Sequence, residues 1–367
     1  MHIPHTITSL DGHTRAVIVP SLGFTCIEFV TQAGGQSVSV LVSEPDILSG
    51  NCRPGRSGIP ILFPFPNRIR HGRFEHRGKV YEVPPPAWFP QTIHGFCVDR
   101  AWRVIDSTPH SLTGEFLLSR DAPERRRQWP ADARLVVTYS VETARLRADI
   151  TVENPDSVPL PWGFGTHPYF QLPLGAGCIH QLAAPFRPPL PHSGVVSESQ
   201  IECGGEGAET AEYRQLANAP LGTGHPPESC TIRAAASQQW QLDLCFPTGQ
   251  RVPVPAEKDL RSGWRYGSCS LDDVYTDLTP IHGSIVQVID DPVSQLRMTQ
   301  RSCEEFRELV VFTPKDRAVI CLEPYTCTTD AANLQSRGLD AGWRELAPGE
   351  QQSLWFELQV SPLESSL

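Results

Sequence analysis

The sequence predicts an all-β protein built as one large antiparallel β-sandwich, and three observations carry that reading. Proline and glycine are abundant, 35 and 28 of 367 residues, while methionine occurs twice, a balance that suits short strands and tight turns over long helices. Short β-branched runs bounded by turn residues recur from one end of the chain to the other. No helical apolar period is sustained for four turns. Length alone allows two domains. With no linker between composition-distinct halves and no internal repeat, a single unit over residues 1–367 is expected, two separate all-β domains being the alternative.

Taken in order, the first strands are Arg15-Ala16-Val17-Ile18-Val19 and Ser37-Val38-Ser39-Val40-Leu41-Val42. The segment from Gly72 to Val83 reads as a hairpin turning near Arg77-Gly78. Arg134 to Val141 and Arg145 to Val152 form a second hairpin, the latter run alternating polar and apolar residues as a strand with one buried face does. Four more strands are expected at Ser284–Ile289, Leu309–Phe312, Ala318–Leu322 and Ser353–Val360. Pro84-Pro85-Pro86 is irregular, and the strand-poor Gly/Pro/Ser stretch over residues 193–230 reads as a surface insertion.

Composition excludes several function classes. A formal net charge of −10 argues against a nucleic-acid backbone or an anionic membrane as partner, since both demand basic patches. The opening residues hold no basic segment and no apolar stretch, and nothing elsewhere reaches the roughly 18 apolar residues of a membrane helix, so a cytoplasmic protein is expected. The 11 cysteines are scattered without a Cys-x-x-Cys pair or a zinc-like histidine spacing, which suits buried, reduced thiols. His71 and His76 fall on opposite faces of an extended hairpin. No metal site is expected.

Five groups stand out as candidates for chemistry. His167 lies in Gly163-Phe164-Gly165-Thr166-His167-Pro168-Tyr169-Phe170, where Pro168 restricts it to extended geometry and Gly163, Gly165 and Tyr169 share its face. It reads either as a placed acid–base group or as a buried histidine bonded to a carbonyl. Glu323, in Leu322-Glu323-Pro324, continues the row of Val319 and Cys321 along one strand face. There desolvation would raise its pKa toward that of a general base, unless the strand has ended and the carboxylate is solvated. Asn67 and Arg68 emerge from the rigid run Ile61 to Pro66. The forked guanidinium suits vicinal hydroxyls or a carboxylate, a surface arginine being the other reading. His94, in Thr92-Ile93-His94-Gly95-Phe96, is either a donor to a hydroxyl or ring oxygen or a structural residue. Asp272 and Asp273 face opposite ways if extended, so at most one lines a pocket, or they form an acidic turn.

In that order and at those intervals, Asn67-Arg68-Ile69, His94-Gly95-Phe96, His167-Pro168-Tyr169-Phe170, Asp272-x-x-Tyr275 and Leu322-Glu323-Pro324 with Asp330-Ala331 resemble the aldose 1-epimerase (galactose mutarotase) family. The resemblance implies a large antiparallel galactose mutarotase-like sandwich with a sugar site in an open cleft. It implies Glu323 as the base on the anomeric hydroxyl and His167 as the acid on the ring oxygen. Arg68 and His94, with Asn67, would orient the ring oxygen and nearby hydroxyls, and Asp272 would accept from sugar hydroxyls. Trp88, Trp162, Phe164 and Tyr169 are candidate walls. No cofactor is implied, and the expected partner is a small sugar, bound by a monomer or homodimer.

The chain departs from the family pattern at Gln171, at Tyr325-Thr326 and in the Pro64-Phe65-Pro66 lead. Asn67-Arg68-Ile69 leans toward free hexoses such as glucose or galactose. A hexose 6-phosphate would need another cation, for which Arg100 is the candidate. A sugar-binding protein without activity and a glycoside hydrolase pairing Glu323 with Asp272 or Asp273 are the other classes.

Overall fold

Period-two burial turns the β-branched runs into paired strands. In the Arg134–Glu142 and Arg145–Glu153 strands every second residue is buried, from Leu135 to Val141 and from Leu146 to Val152, and the two pair antiparallel from Arg134 opposite Glu153 to Glu142 opposite Arg145. The computed structural model of the chain describes residues 1–175 and 226–364. A nine-stranded antiparallel sheet runs in the order Trp264–Arg265, Thr231–Ala234, Ile285–Asp291, Leu296–Ser302, Gln351–Pro362, Arg145–Glu153, Arg134–Glu142, Ser111–Leu117 and Arg103–Ser107.

An eight-stranded sheet carries the chemistry. It begins with Phe246–Pro253, Ala236–Asp243, Asp272–Leu278 and Glu308–Phe312, and continues through Val319–Tyr325, Gly165–Thr166 and Ile61–Leu62, with Tyr169–Gln171 also paired to Val319–Tyr325. Residues 5–39 add a four-stranded sheet. Alternation divides the central strands of the eight-stranded sheet between two environments. Leu309, Val311, Ile320 and Leu322 join Ile289, Met298, Leu354, Phe356 and Leu358 of the nine-stranded sheet in one core, which is the sandwich. The intervening residues Val310, Phe312 and Glu323 face a cleft on the other side.

The hairpin at 72–83 pairs Arg73–His76 with Lys79–Glu82, and both turn residues, Arg77 (φ 50°) and Gly78 (φ 76°), have the positive φ of a two-residue type I′ connection. The strand expected over 37–42 stops at Ser39, because the chain changes partner there: Gln171 donates to the Val40 carbonyl at 3.0 Å and Val42 to that of Tyr169 at 2.9 Å. Asp272 and Asp273 open a strand rather than an acidic turn. The strand Ala236–Asp243 escaped the pattern because its sequence, ASQQWQLD, is too polar to show alternation.

The insertion expected at 193–230 lies outside the described residues up to 225. Its last five residues belong to the fold, with Cys230 buried in the core. No disulfide joins the described cysteines, most of which are buried. Among the described residues no helix is long and apolar enough to cross a membrane.

Candidate active site

Backbone contacts tie the distant motifs together at one end of the cleft. Gly95 (φ 74°) passes so close to Phe63 that a Cβ there would lie 2.2 Å from the Phe63 carbonyl oxygen, which explains why glycine follows His94. The His94 amide donates to the Asn67 carbonyl at 2.8 Å, and the Asp330 amide to that of Arg68 at 2.9 Å. Asn67, His94 and Asp330 all sit in the left-handed region, with φ of 54°, 63° and 59°, an uncommon conformation for these residues. Asp330 acts as a clamp, its carboxylate accepting from the Arg70 amide at 2.9 Å.

His167 comes from the link between the Gly165–Thr166 and Tyr169–Gln171 strands, and Glu323 from within the Val319–Tyr325 strand. Just before His167, Gly165 pairs with both Leu62 and Tyr325. The amides of His167 and Tyr169 then donate to the carbonyls of Pro60 and Gly58 at 3.1 and 2.9 Å. This extended path places the Tyr169 ring flat on the imidazole, with centroids 4.6 Å apart and planes 7° from parallel. The Tyr169 hydroxyl is anchored on the Gly55 carbonyl at 2.9 Å. Imidazole Nε2 of His167 lies 3.3 Å from Oε1 of Glu323. The second carboxylate oxygen, Oε2, accepts a short hydrogen bond from the Tyr325 hydroxyl.

All six residues singled out from sequence line this cleft: Asn67, Arg68, His94, His167, Asp272 and Glu323. Arg68 is held in place by Gln91 (2.8 Å) and by the Asn67 side-chain oxygen (2.9 Å). Of the two aspartates, Asp272 faces the cleft, while Asp273 is bonded by Lys258 through both oxygens at 2.7 and 2.8 Å, as alternation requires.

The expected walls need correction. Trp162, at the end of the Leu160–Trp162 strand, and Phe164, just beyond it, are both buried in the main core. Trp88 bonds to Asp99 instead, and its neighbour Phe89 lines the cleft. Arg100, the candidate cation, pairs with Glu124 and Asp99 and is not among the lining residues. Arg53 and Arg56 are, from a loop whose composition signalled only irregular chain, and the Arg53 guanidinium lies 4.6 Å above the Phe89 ring. Two arginines within four residues of a glycine-rich loop were the only sequence sign of them.

Burial sets the protonation of the floor. It pushes the His167 pKa down to about 3, an effect its own backbone carbonyl opposes and Arg317, Arg53 and Arg68 reinforce. It also raises Glu323 well above the carboxylate range, against the Tyr325 hydrogen bond and Arg68. His94, ring edge to face with His167 at 5.5 Å, is held neutral by burial and then by His167 and the arginines. Asp272 is raised to about 6, mainly by burial. Burial therefore favours a neutral imidazole beside a protonated carboxyl, a pair that shares one proton.

Residues 5–182 match the family model described as aldose 1-epimerase. A galactose mutarotase-like protein from Clostridium acetobutylicum superposes with a TM-score of 0.74 at 19% identity, over 98% of this chain and 99% of that one. The aldose epimerase homologue of C. elegans gives 0.70 at 15%, over 99% and 100%. Residues 5–182 are thus similar to the aldose 1-epimerase family, and the chain has the galactose mutarotase-like fold. Among curated relatives, the uncharacterized protein YihR of Escherichia coli (strain K12) is 29% identical over 110 residues, 30% of this chain and 34% of the relative. The match thus spans about a third of that relative's length.

The foot of the cleft holds one more group. Donor atoms of His167, Cys321 and Glu323 all lie within 4.8 Å of one another, and this trio could hold a metal ion. The expectation of no metal rested on spacing along the chain. A residue on the link between two strands and two residues of a third strand form a cluster that such spacing does not reveal.

Proposed function

We propose that the protein is an aldose 1-epimerase that interconverts the α and β anomers of a hexose, and that His167 and Glu323 carry the proton transfers. The observation that carries this reading is the 3.3 Å between His167 Nε2 and Glu323 Oε1 on the floor of the cleft. The two oxygens to be handled, O1 and the ring oxygen, are bonded to the same carbon and lie closer together than that. Each of the paired groups can therefore reach one of them.

With the shared proton on His167, Glu323 removes the proton of the anomeric hydroxyl, and the O1–H electrons form the C1=O1 bond. The C1–O5 bond breaks, and O5 takes the proton from His167. The open-chain aldehyde turns its other face by rotation about C1–C2, and the reverse transfers close the ring as the other anomer. Ring opening leaves a neutral imidazole and a protonated carboxyl, the state that burial favours, so the cleft supports the open-chain intermediate. Each acid–base contribution is worth roughly 10²- to 10⁴-fold. Arg68, His94 and Asn67 are positioned to fix the ring and Asp272 to accept from a hydroxyl, and the sequence of transfers calls for no cofactor.

Free glucose or galactose is the first substrate reading. A hexose 6-phosphate is the second, favoured by Arg53 and Arg56 beside Arg68 in the lining, although Arg56 is also paired with Asp316 at 2.8 Å. Polarimetry of freshly dissolved α-glucose, α-galactose and the 6-phosphates against buffer is the test. Faster mutarotation of at least one is expected, and no acceleration with any of them sinks the proposal.

A further inference from the structure

Tyr325 is not itself among the residues that line the cleft, yet it is the donor to the carboxylate on which the proposed chemistry depends. Extended geometry puts Cys321, Glu323 and Tyr325 on the same face of the Val319–Tyr325 strand, and the Tyr325 ring leans back along that face toward Glu323. What lets it do so is Gly165 on the neighbouring strand, which pairs directly with Tyr325. A Cβ on Gly165 would lie 2.3 Å from Cδ1 and 2.7 Å from Cε1 of the Tyr325 ring, and 2.8 Å from Pro66 Cβ. The glycine of the histidine motif is thus the space in which the tyrosine lies. Tyr325 is wholly buried, and its hydroxyl donates to Glu323 Oε2.

We propose that Tyr325 is a positioning residue: its phenol, seated over Gly165, holds Glu323 in the one orientation that turns Oε1 toward His167 and the substrate. Three features support this. Oε2 is occupied by Tyr325, so only Oε1 is left to face His167. A phenol in a buried, apolar setting beside a carboxyl stays protonated and remains a donor, its own pKa raised well above the usual range by burial and by Glu323. The hydrogen bond favours the ionised carboxylate against burial, and the ionised form is the one that accepts the anomeric proton.

The inference rests on the epimerase reading, so its test carries one measurement that does not need activity. Removing the hydroxyl in Tyr325→Phe withdraws a stabiliser of the carboxylate, so the Glu323 pKa rises. The alkaline fall of kcat, where the pair loses its one shared proton, should move to higher pH by roughly one unit or more. At neutral pH kcat should fall roughly tenfold or more with little change in KM. A merely structural tyrosine would change the melting temperature and leave the pH limb in place.

The second measurement is the infrared carbonyl band of protonated Glu323, identified by its loss in Glu323→Gln. In Tyr325→Phe it should persist to higher pH than in the wild type, and Gly165→Ala, which displaces the ring while keeping the hydroxyl, should shift it the same way. If the phenylalanine variant does not fold, 3-fluorotyrosine at position 325, a stronger donor, should move band and limb toward lower pH. An unmoved band and limb overturn the inference. Inactivity of the wild type with a band that moves as expected overturns the epimerase reading and leaves the Tyr325–Glu323 coupling standing.

Discussion

Two buried glutamates sit on adjacent strands of the same sheet, and only one is placed to do chemistry. Glu308 lies opposite Tyr325, and Glu323 lies opposite Val310, so they are neighbours on one face. Both are buried, with Glu308 0% and Glu323 2% exposed, and burial raises the pKa of both, Glu308 to about 7. Glu308 is closed off, taking a hydrogen bond from the Trp240 indole at 3.0 Å and lying 3.5 Å from Arg307 Nε. Glu323 opens into the cleft beside an imidazole. A perturbed carboxyl is thus no signature of a site by itself; the second titratable group and the open wall make the difference.

The largest expected effect that tests this contrast is on rate. Glu323→Gln should slow mutarotation by about 10³-fold or more, while Glu308→Gln leaves it within a few-fold of wild type. Polarimetry on both variants checks it, and similar losses in the two would break the contrast. Next comes His167→Asn, expected to cost about 10²- to 10³-fold with the circular dichroism spectrum unchanged. A wild-type rate there would move the acid to another group, such as His94, whose ring lies 5.5 Å from that of His167.

The smallest effect is on stability, and there Glu308 should be the more telling residue. Its folded pKa of about 7 lies above the ordinary 4.5, so folding favours the protonated form. Its contribution is complete below about pH 4.5 and is lost as pH rises through 7, a swing of about 3 kcal/mol. Glu308→Gln cannot ionise and keeps an acceptor for Trp240, so denaturant unfolding should show it gaining on the wild type between pH 5 and 8. Parallel curves for the two proteins would show that Glu308 does not titrate in that range.

Much of this was legible in the chain. The pairing of Arg134–Glu142 with Arg145–Glu153, the turn at Arg77-Gly78 and the shared face of Val319, Cys321 and Glu323 follow from a period of two, which local sterics impose on any extended chain. The six candidate site residues were legible for a related reason. His167 and Glu323 each precede a proline and His94 precedes a glycine, so their backbone constraint is written beside them. Arg53, Arg56 and Phe89 carried no such mark, and Trp162 and Phe164 looked like walls because aromaticity does not say which side of a sheet a residue faces.

The sequence by itself determined the fold class, the alternation of each strand and the candidate residues that line the cleft, since all of these depend on neighbours along the chain. Tertiary structure alone decided that Tyr325 reaches Glu323 over Gly165, that Arg53 enters the cleft and Arg100 does not, and that Glu308 is sealed while Glu323 is open. Those outcomes turn on contacts between segments far apart in sequence, where a few ångströms of packing separate a sealed carboxyl from one that opens into the cleft.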